Sequence, residues 1–94
     1  MEEGLILGKE LRNRAPGQTV LAARITQDSN GMWFIELNLS WMEPNPFILG
    51  EYEVLKKREF KMLNYALRHV FEKTELTTVI VVRNADVALP SQII

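Results

Sequence analysis

The side chains that could do acid–base or metal chemistry are few in this sequence. His69, the single histidine, has Glu72 three residues later, within hydrogen-bonding reach on a helix. On a helical wheel His69 lies beside Arg58 and away from the apolar stripe, which predicts a solvated surface side chain. The sequence contains no cysteine, Gly-rich phosphate loop, paired-carboxylate motif or Gly-x-Ser-x-Gly elbow. We therefore predict a non-enzymatic protein without a metal site or a cofactor.

The basic residues form one dense cluster, at 56–58 and Lys61. If this region is helical, Lys57, Lys61 and Arg68 fall on one line, which could follow a phosphate backbone. The whole chain, however, has eleven Lys and Arg against twelve Asp and Glu, a net charge of −1. Such a balance gives no general attraction to nucleic acid or to an anionic membrane. The sequence favours a solvated helix face, and nucleic-acid binding through these three residues is the alternative function.

Size and composition indicate one folded domain over residues 1–94. The chain has 94 residues, of which 47% are hydrophobic and 24% are charged. These proportions are typical of a globular domain and unlike those of a disordered segment. Its first residues, Met1-Glu2-Glu3, are acidic where a signal peptide is basic, so we expect a cytoplasmic protein.

Residues 19–42 have the pattern of a β-hairpin. Two segments with apolar alternation, 19–27 and 32–42, flank the turn sequence Asp-Ser-Asn-Gly at 28–31. A two-residue loop would join the apolar face of one strand to the polar face of the other. A three-residue loop with Gly31 in the left-handed conformation joins the two apolar faces, pairing Ile25 with Ile35, Ala23 with Leu37 and Leu21 with Leu39. Trp33 and Trp41 then close the two ends of the core.

Two further elements complete the predicted fold. Apolar residues at helical spacing predict a helix over 51–73, and the apolar run at 77–83 predicts a third strand. Lys56 and Glu59 fall inside the apolar stripe of the helix, so a later start or a bend at this point is the alternative. The fold class is α+β, a small two-layer β-β-α-β domain whose three-stranded sheet has one long helix on one face. A crossover through the helix predicts a third strand parallel to the second. We favour the strand order 2-1-3 over 1-2-3.

Both ends of the chain allow more than one interpretation. Residues 4–14, within the N-terminal segment 1–18, fit either a short helix with Leu7 and Leu11 on one side or an extra edge strand. Residues 84–94 are expected to form an extended tail with an apolar tip.

The second face of the predicted sheet is the most informative surface. One helix covers one face of a three-stranded sheet, so the other face needs a cover. That cover could be the N-terminal segment, the C-terminal tail or a second subunit, and a two-fold dimer is the commonest oligomeric solution. We predict a protein-binding accessory or regulatory protein that forms a homodimer. The candidate interface residues are Val20, Ala22, Phe34, Met42, Ile93 and Ile94. The third strand adds to this face either Val79 and Val81 or Thr78, Ile80 and Val82.

Overall fold

The computed structural model describes residues 5–41, 46–51 and 56–85. These residues form a mixed sheet of seven strands and two helices. In chain order the elements are β1 (Leu5–Leu7), α1 (Gly8–Arg12), β2 (Val20–Gln27), β3 (Trp33–Leu39), β4 (Phe47–Glu51), β5 (Lys56–Lys57), β6 (Glu59–Phe60), α2 (Leu63–Lys73) and β7 (Ile80–Val82). The strand order is β1-β4-β3-β2-β7, with β5 beside β4 and β6 beside β3.

The fold is α+β, but the expected three-stranded sheet with one long helix is wrong. Helix α2 begins at Leu63 and has eleven residues, while the predicted helix began at residue 51. Within the predicted helix, Lys56–Lys57 pairs with β4 and Glu59–Phe60 pairs with β3. Short segments fit both the helical and the extended period, and here hydrogen bonding to these two strands decides against the helix. The N-cap of α2, Met62, makes no side-chain capping bond, so the later start is indicated by Lys56 and Glu59 within the apolar stripe and not by a capping residue.

The hairpin register over most of β2 and β3 is confirmed. Ile25 lies opposite Ile35, and Ala23 lies opposite Leu37. Gly31 has a φ of +83°, the left-handed conformation expected for this three-residue loop. Asp28 fixes the loop, because its Oδ1 accepts hydrogen bonds from the backbone N–H groups of Asn30 (2.9 Å) and Met32 (3.0 Å).

The register changes at the start of β2, where the predicted pairing of Leu21 with Leu39 is wrong. A bulge between Val20 and Ala22 places Val20 opposite Leu39. Val20 is therefore buried, with 1% of its surface exposed, and Leu21 is 59% exposed. The extra residue in the bulge reverses the alternation of faces, so the expectation that Val20 lies on the uncovered face is also wrong.

The third predicted strand is β7, which is shorter than the predicted range 77–83. It pairs with β2, which is the first strand of the predicted hairpin, as the predicted order 2-1-3 requires. The two strands are parallel. Since β2 and β3 are antiparallel, β7 is antiparallel to β3, and the predicted direction is wrong. The prediction assumed that a helix follows β3 directly, whereas β4, β5 and β6 intervene.

The N-terminal segment combines its two predicted alternatives, since strand β1 leads directly into helix α1. β1 pairs in parallel with β4. Leu11 of α1 is buried in the core. Most of the predicted tail, residues 86–94, lies outside the described residues.

The core lies between one face of the sheet and both helices. Ile25, Ile35 and Leu49 from the sheet, Leu11 from α1 and Val70 from α2 belong to one cluster of buried side chains. Trp33 is buried within the cluster and Trp41 packs against it, in agreement with their expected positions at the ends of the core. We call this side of the sheet the inner face and the opposite side the outer face.

The chain reverses direction at Arg58, between β5 and β6. β5 is antiparallel to β4, and β4 is antiparallel to β3, so β5 runs in the same direction as β3. β6, only one residue further along the chain, is antiparallel to β3. The backbone N–H of Arg58 donates to the carbonyl of Leu49 at 2.7 Å, which ties the reversal to β4.

Candidate functional site

The outer face of the sheet has no helix over it among the described residues. Its side chains come from alternate residues of β2 and from the residues of β3 and β7 that pair with them, because paired residues on neighbouring strands point to the same face. They are Ala22, Arg24, Thr26, Phe34, Glu36, Asn38, Ile80 and Val82. Ile48 joins them from β4, opposite Glu36. This face is thus apolar at β7 and polar in the middle.

The polar middle is a paired ionic group. The Arg24 guanidinium donates from Nε to Glu36 Oε1 at 3.1 Å and from Nη2 to Glu36 Oε2 at 3.0 Å. The hydroxyl of Thr26 donates to the same Oε1 at 2.7 Å. The hydrogen bonds from Arg24 lower the pKa of Glu36, against the opposing effect of burial, and the bond from Thr26 adds to the lowering. This bidentate geometry fixes the plane of the guanidinium.

A hollow of about 210 Å³ lies beside this ion pair. Its wall consists of Ala22, Ala23, Arg24, Glu36, Asn38, Pro46 and Ile80. Ala22 leaves space on the outer face, because its side chain is a single methyl group beside the longer side chains of Arg24 and Asn38. Within the described residues, the Nη1 atom of Arg24 makes no hydrogen bond and is free to donate to an incoming group.

Strand β7 carries the apolar part of the outer face. Ile80 is 61% exposed, and Val81 and Val82 are also exposed. One edge of β7 pairs with β2, and among the described residues no strand pairs with the other edge. Exposed edge strands with apolar side chains on both faces are prone to associate with another chain.

Phe34, the first of the predicted interface residues, is less open than the sequence suggests. Its side chain is half-buried, and the Lys57 ammonium lies 4.4 Å from the centre of its ring. The same ammonium lies 3.6 Å from Asp28 Oδ2. The main exposed apolar surface therefore lies at β7 and not at Phe34.

The remaining predicted interface residues differ in position. Ala22 is exposed on the outer face, at the hollow. Val20 is in the core. Met42, Ile93 and Ile94 lie outside the described residues.

The three residues expected to form a basic line do not share a helix. Lys57 is in β5 and is held by Asp28, Lys61 precedes α2, and Arg68 lies within it. His69 is half-buried against the ring of Phe60, with ring centres 5.5 Å apart. Burial lowers the pKa of His69, and the charges of Arg58 and Lys73 lower it further, while Glu72 opposes them.

The structure decides between the two alternatives that the sequence left for the third strand, because Ile80 and Val82 lie on the outer face and Val81 on the inner face. Leu21 was predicted to pair with Leu39 on the apolar face of the hairpin, and its exposure was missed because alternation alone does not reveal a bulge.

Neither helix in the described part of the chain is long and apolar enough to cross a membrane. The same residues contain no group of three or more His, Asp or Glu side chains placed to hold a metal ion. No family model matches this sequence. Comparisons with curated proteins and with solved structures likewise gave no match.

Proposed function

We propose that this protein is a non-enzymatic binding protein that forms a homodimer through the outer face of its sheet. The observation that carries the proposal is the exposure of Ile80 on the edge strand β7, beside a hollow on the same face. Burying apolar side chains of this size against a partner contributes about 1.5 to 3 kcal/mol each when burial is complete. This gain favours association over the exposed monomer.

The size of the hollow supports a protein side chain as its occupant. Pockets for small molecules have volumes of about 300 to 1,000 Å³. The hollow, at about 210 Å³, is smaller than this range and is open to the surface. A single apolar side chain fits such a space, and the neighbouring Ile80 projects from the same face. A surface with a projecting apolar side chain next to a hollow can be complementary to a second copy of itself.

The charges of the outer face also favour a second copy. Arg24 and Glu36 cancel each other, so two outer faces can meet without repulsion between like charges. The free Nη1 donor of Arg24 can bind an acceptor on the opposing copy. A strongly basic or acidic face would instead require a partner of opposite charge.

The test is the solution mass of the protein and of its Ile80→Glu variant. We expect a dimer by sedimentation equilibrium at tens of micromolar, and a monomer for the variant, because two new carboxylates would be brought together across the two-fold axis. Met62→Glu is the matched control: Met62 is exposed, apolar and outside the outer face, so this variant should remain dimeric. Circular dichroism verifies that both variants are folded.

A wild-type protein that is monomeric throughout this concentration range would contradict the proposal. An Ile80→Glu variant that is folded and dimerises as strongly as the wild type would contradict the assigned face.

A further inference from the structure

The exposed side of α2 carries an aromatic ring among cations. We define the helix face as Arg58, Tyr65, Arg68, His69 and Lys73. Tyr65, His69 and Lys73 follow one another at intervals of four residues, so they form one row along the helix. Tyr65 is 51% exposed, and Arg68, three residues after it, is exposed next to this row.

Arg58 belongs to the same surface although it precedes the helix. Its guanidinium lies 5.2 Å from the centre of the Phe60 ring, and His69 contacts the same ring. Phe60 is buried in the core, so its position is fixed by packing. The contact with Phe60 therefore holds Arg58 beside His69, one helical turn from Tyr65.

The helix face has positive charge, in contrast to the net charge of −1 of the whole chain. Arg58, Arg68 and Lys73 contribute three positive charges, and Glu72 contributes one negative charge. Burial lowers the pKa of His69 most, and Arg58 and Lys73 lower it further against the opposing effect of Glu72, so both cations lie near the imidazole.

We infer that the helix face binds single-stranded nucleic acid, with Tyr65 stacking on a base and with Arg58, Arg68 and Lys73 contacting phosphates. The combination of an exposed ring with flanking cations fits this partner, because stacking needs a free base and the cations follow the backbone. An acidic protein would also pair with the cations, but Tyr65 would then pack against an apolar side chain instead of stacking on a base. In a duplex the base faces are stacked on one another and cannot reach Tyr65.

This inference replaces the basic line expected from the sequence. Lys57 is not part of it, since its ammonium is held between Asp28 and Phe34 on the sheet. It uses a surface different from the proposed dimer face, and the two proposals can be tested separately.

The experiment measures fluorescence anisotropy of a labelled oligothymidine of about twelve nucleotides, a length that covers a typical single-strand site. We expect Tyr65→Leu to weaken binding by about fivefold or more, since it removes the stacking ring. Tyr65→Phe keeps the ring and should bind within about twofold of the wild type.

The dependence on salt tests the phosphate contacts. Three contacts predict that the logarithm of the binding constant falls with the logarithm of the salt concentration with a slope of about −2. Arg68→Gln should weaken binding and make this slope shallower by about 0.7. Arg12→Gln, which removes an exposed cation of α1, is the matched control and should leave both quantities unchanged.

Three results would overturn the inference. These are the absence of binding at low salt, equal binding by the Tyr65→Leu and Tyr65→Phe variants, and equal affinity for a duplex of the same length.

Discussion

At the scale of single residues, the contacts of a cation decide what it is free to do. Lys57 and Arg68 are both basic residues of the expected line. The ammonium of Lys57 lies 3.6 Å from Asp28 Oδ2 and 4.4 Å from the centre of the Phe34 ring. Arg68 is exposed on α2. Arg68 can therefore contact an anionic partner directly, whereas Lys57 would first have to leave Asp28 and Phe34.

His69 gives a prediction about pH. Its pKa lies below the ordinary value of 6.5 because burial, Arg58 and Lys73 disfavour the charged form. The unfolded chain therefore binds a proton at a higher pH than the folded chain does. Neutral His69 contributes to the free energy of unfolding in full above the ordinary pKa of the unfolded chain. This contribution is lost as the pH falls from that value through the lowered pKa of the folded chain.

We expect the free energy of unfolding to decrease between about pH 7.5 and pH 5.5, and to decrease less in the His69→Gln variant. Denaturant titrations of both proteins at the two pH values measure this difference. The lowered pKa of Glu36 keeps its titration below this range. An equal loss in the two proteins would contradict a role for His69.

At the scale of elements, the bulge in β2 sets which side chains are buried. Val20 enters the core opposite Leu39, while Leu21 is turned to the solvent. Beyond the bulge, the N–H of Ser40 donates to the carbonyl of Thr19 at 2.9 Å, and the N–H of Thr19 donates to Ser40 Oγ at 2.8 Å. These bonds hold the end of the hairpin in the shifted register.

A pair of substitutions tests the bulge. Val20→Ala removes buried methyl groups and should lower the free energy of unfolding by about 1 to 3 kcal/mol. Leu21→Ala acts at an exposed site and should change it by less than about 0.5 kcal/mol. Denaturant unfolding measures both values. A larger loss of stability for Leu21→Ala than for Val20→Ala would favour the regular alternation, in which Leu21 is buried.

At the scale of the whole molecule, one core joins elements that are far apart in the sequence. Leu49 of β4, Leu11 of α1 and Val70 of α2 belong to the same buried cluster. In a domain of this size, such a shared core is typical of unfolding in a single cooperative step. The core also places both helices on the inner face, so no helix of the described residues lies on the outer face.

Leu49→Ala tests this shared core. Leu49 is 1% exposed, and its truncation should lower the free energy of unfolding by about 2 to 5 kcal/mol. The adjacent Ile48→Ala, on the half-buried outer face, is the control and should cost less. Unfolding followed by tryptophan fluorescence and by far-ultraviolet circular dichroism should give coincident transitions for both variants. Two separate transitions would contradict a single core.

The sequence by itself determined the hairpin. Its turn residues and its alternation are local signals, and they were sufficient for the loop length, the conformation of Gly31 and the pairing of Ile25 with Ile35. The neighbour of the third strand was also foreseen, since β2 gains a second partner from it. The exposed apolar strand followed from its composition alone.

The tertiary structure alone decided the rest. Residues 47–51 and 59–60 are strands because β3 supplies their hydrogen-bonding partners, and residues 56–57 are a strand because they pair with β4. The bulge at Val20, the direction of β7 and the capture of Lys57 by Asp28 depend in the same way on contacts between separated segments. Local periodicity reports which faces are apolar, but only packing selects the partner that each face meets.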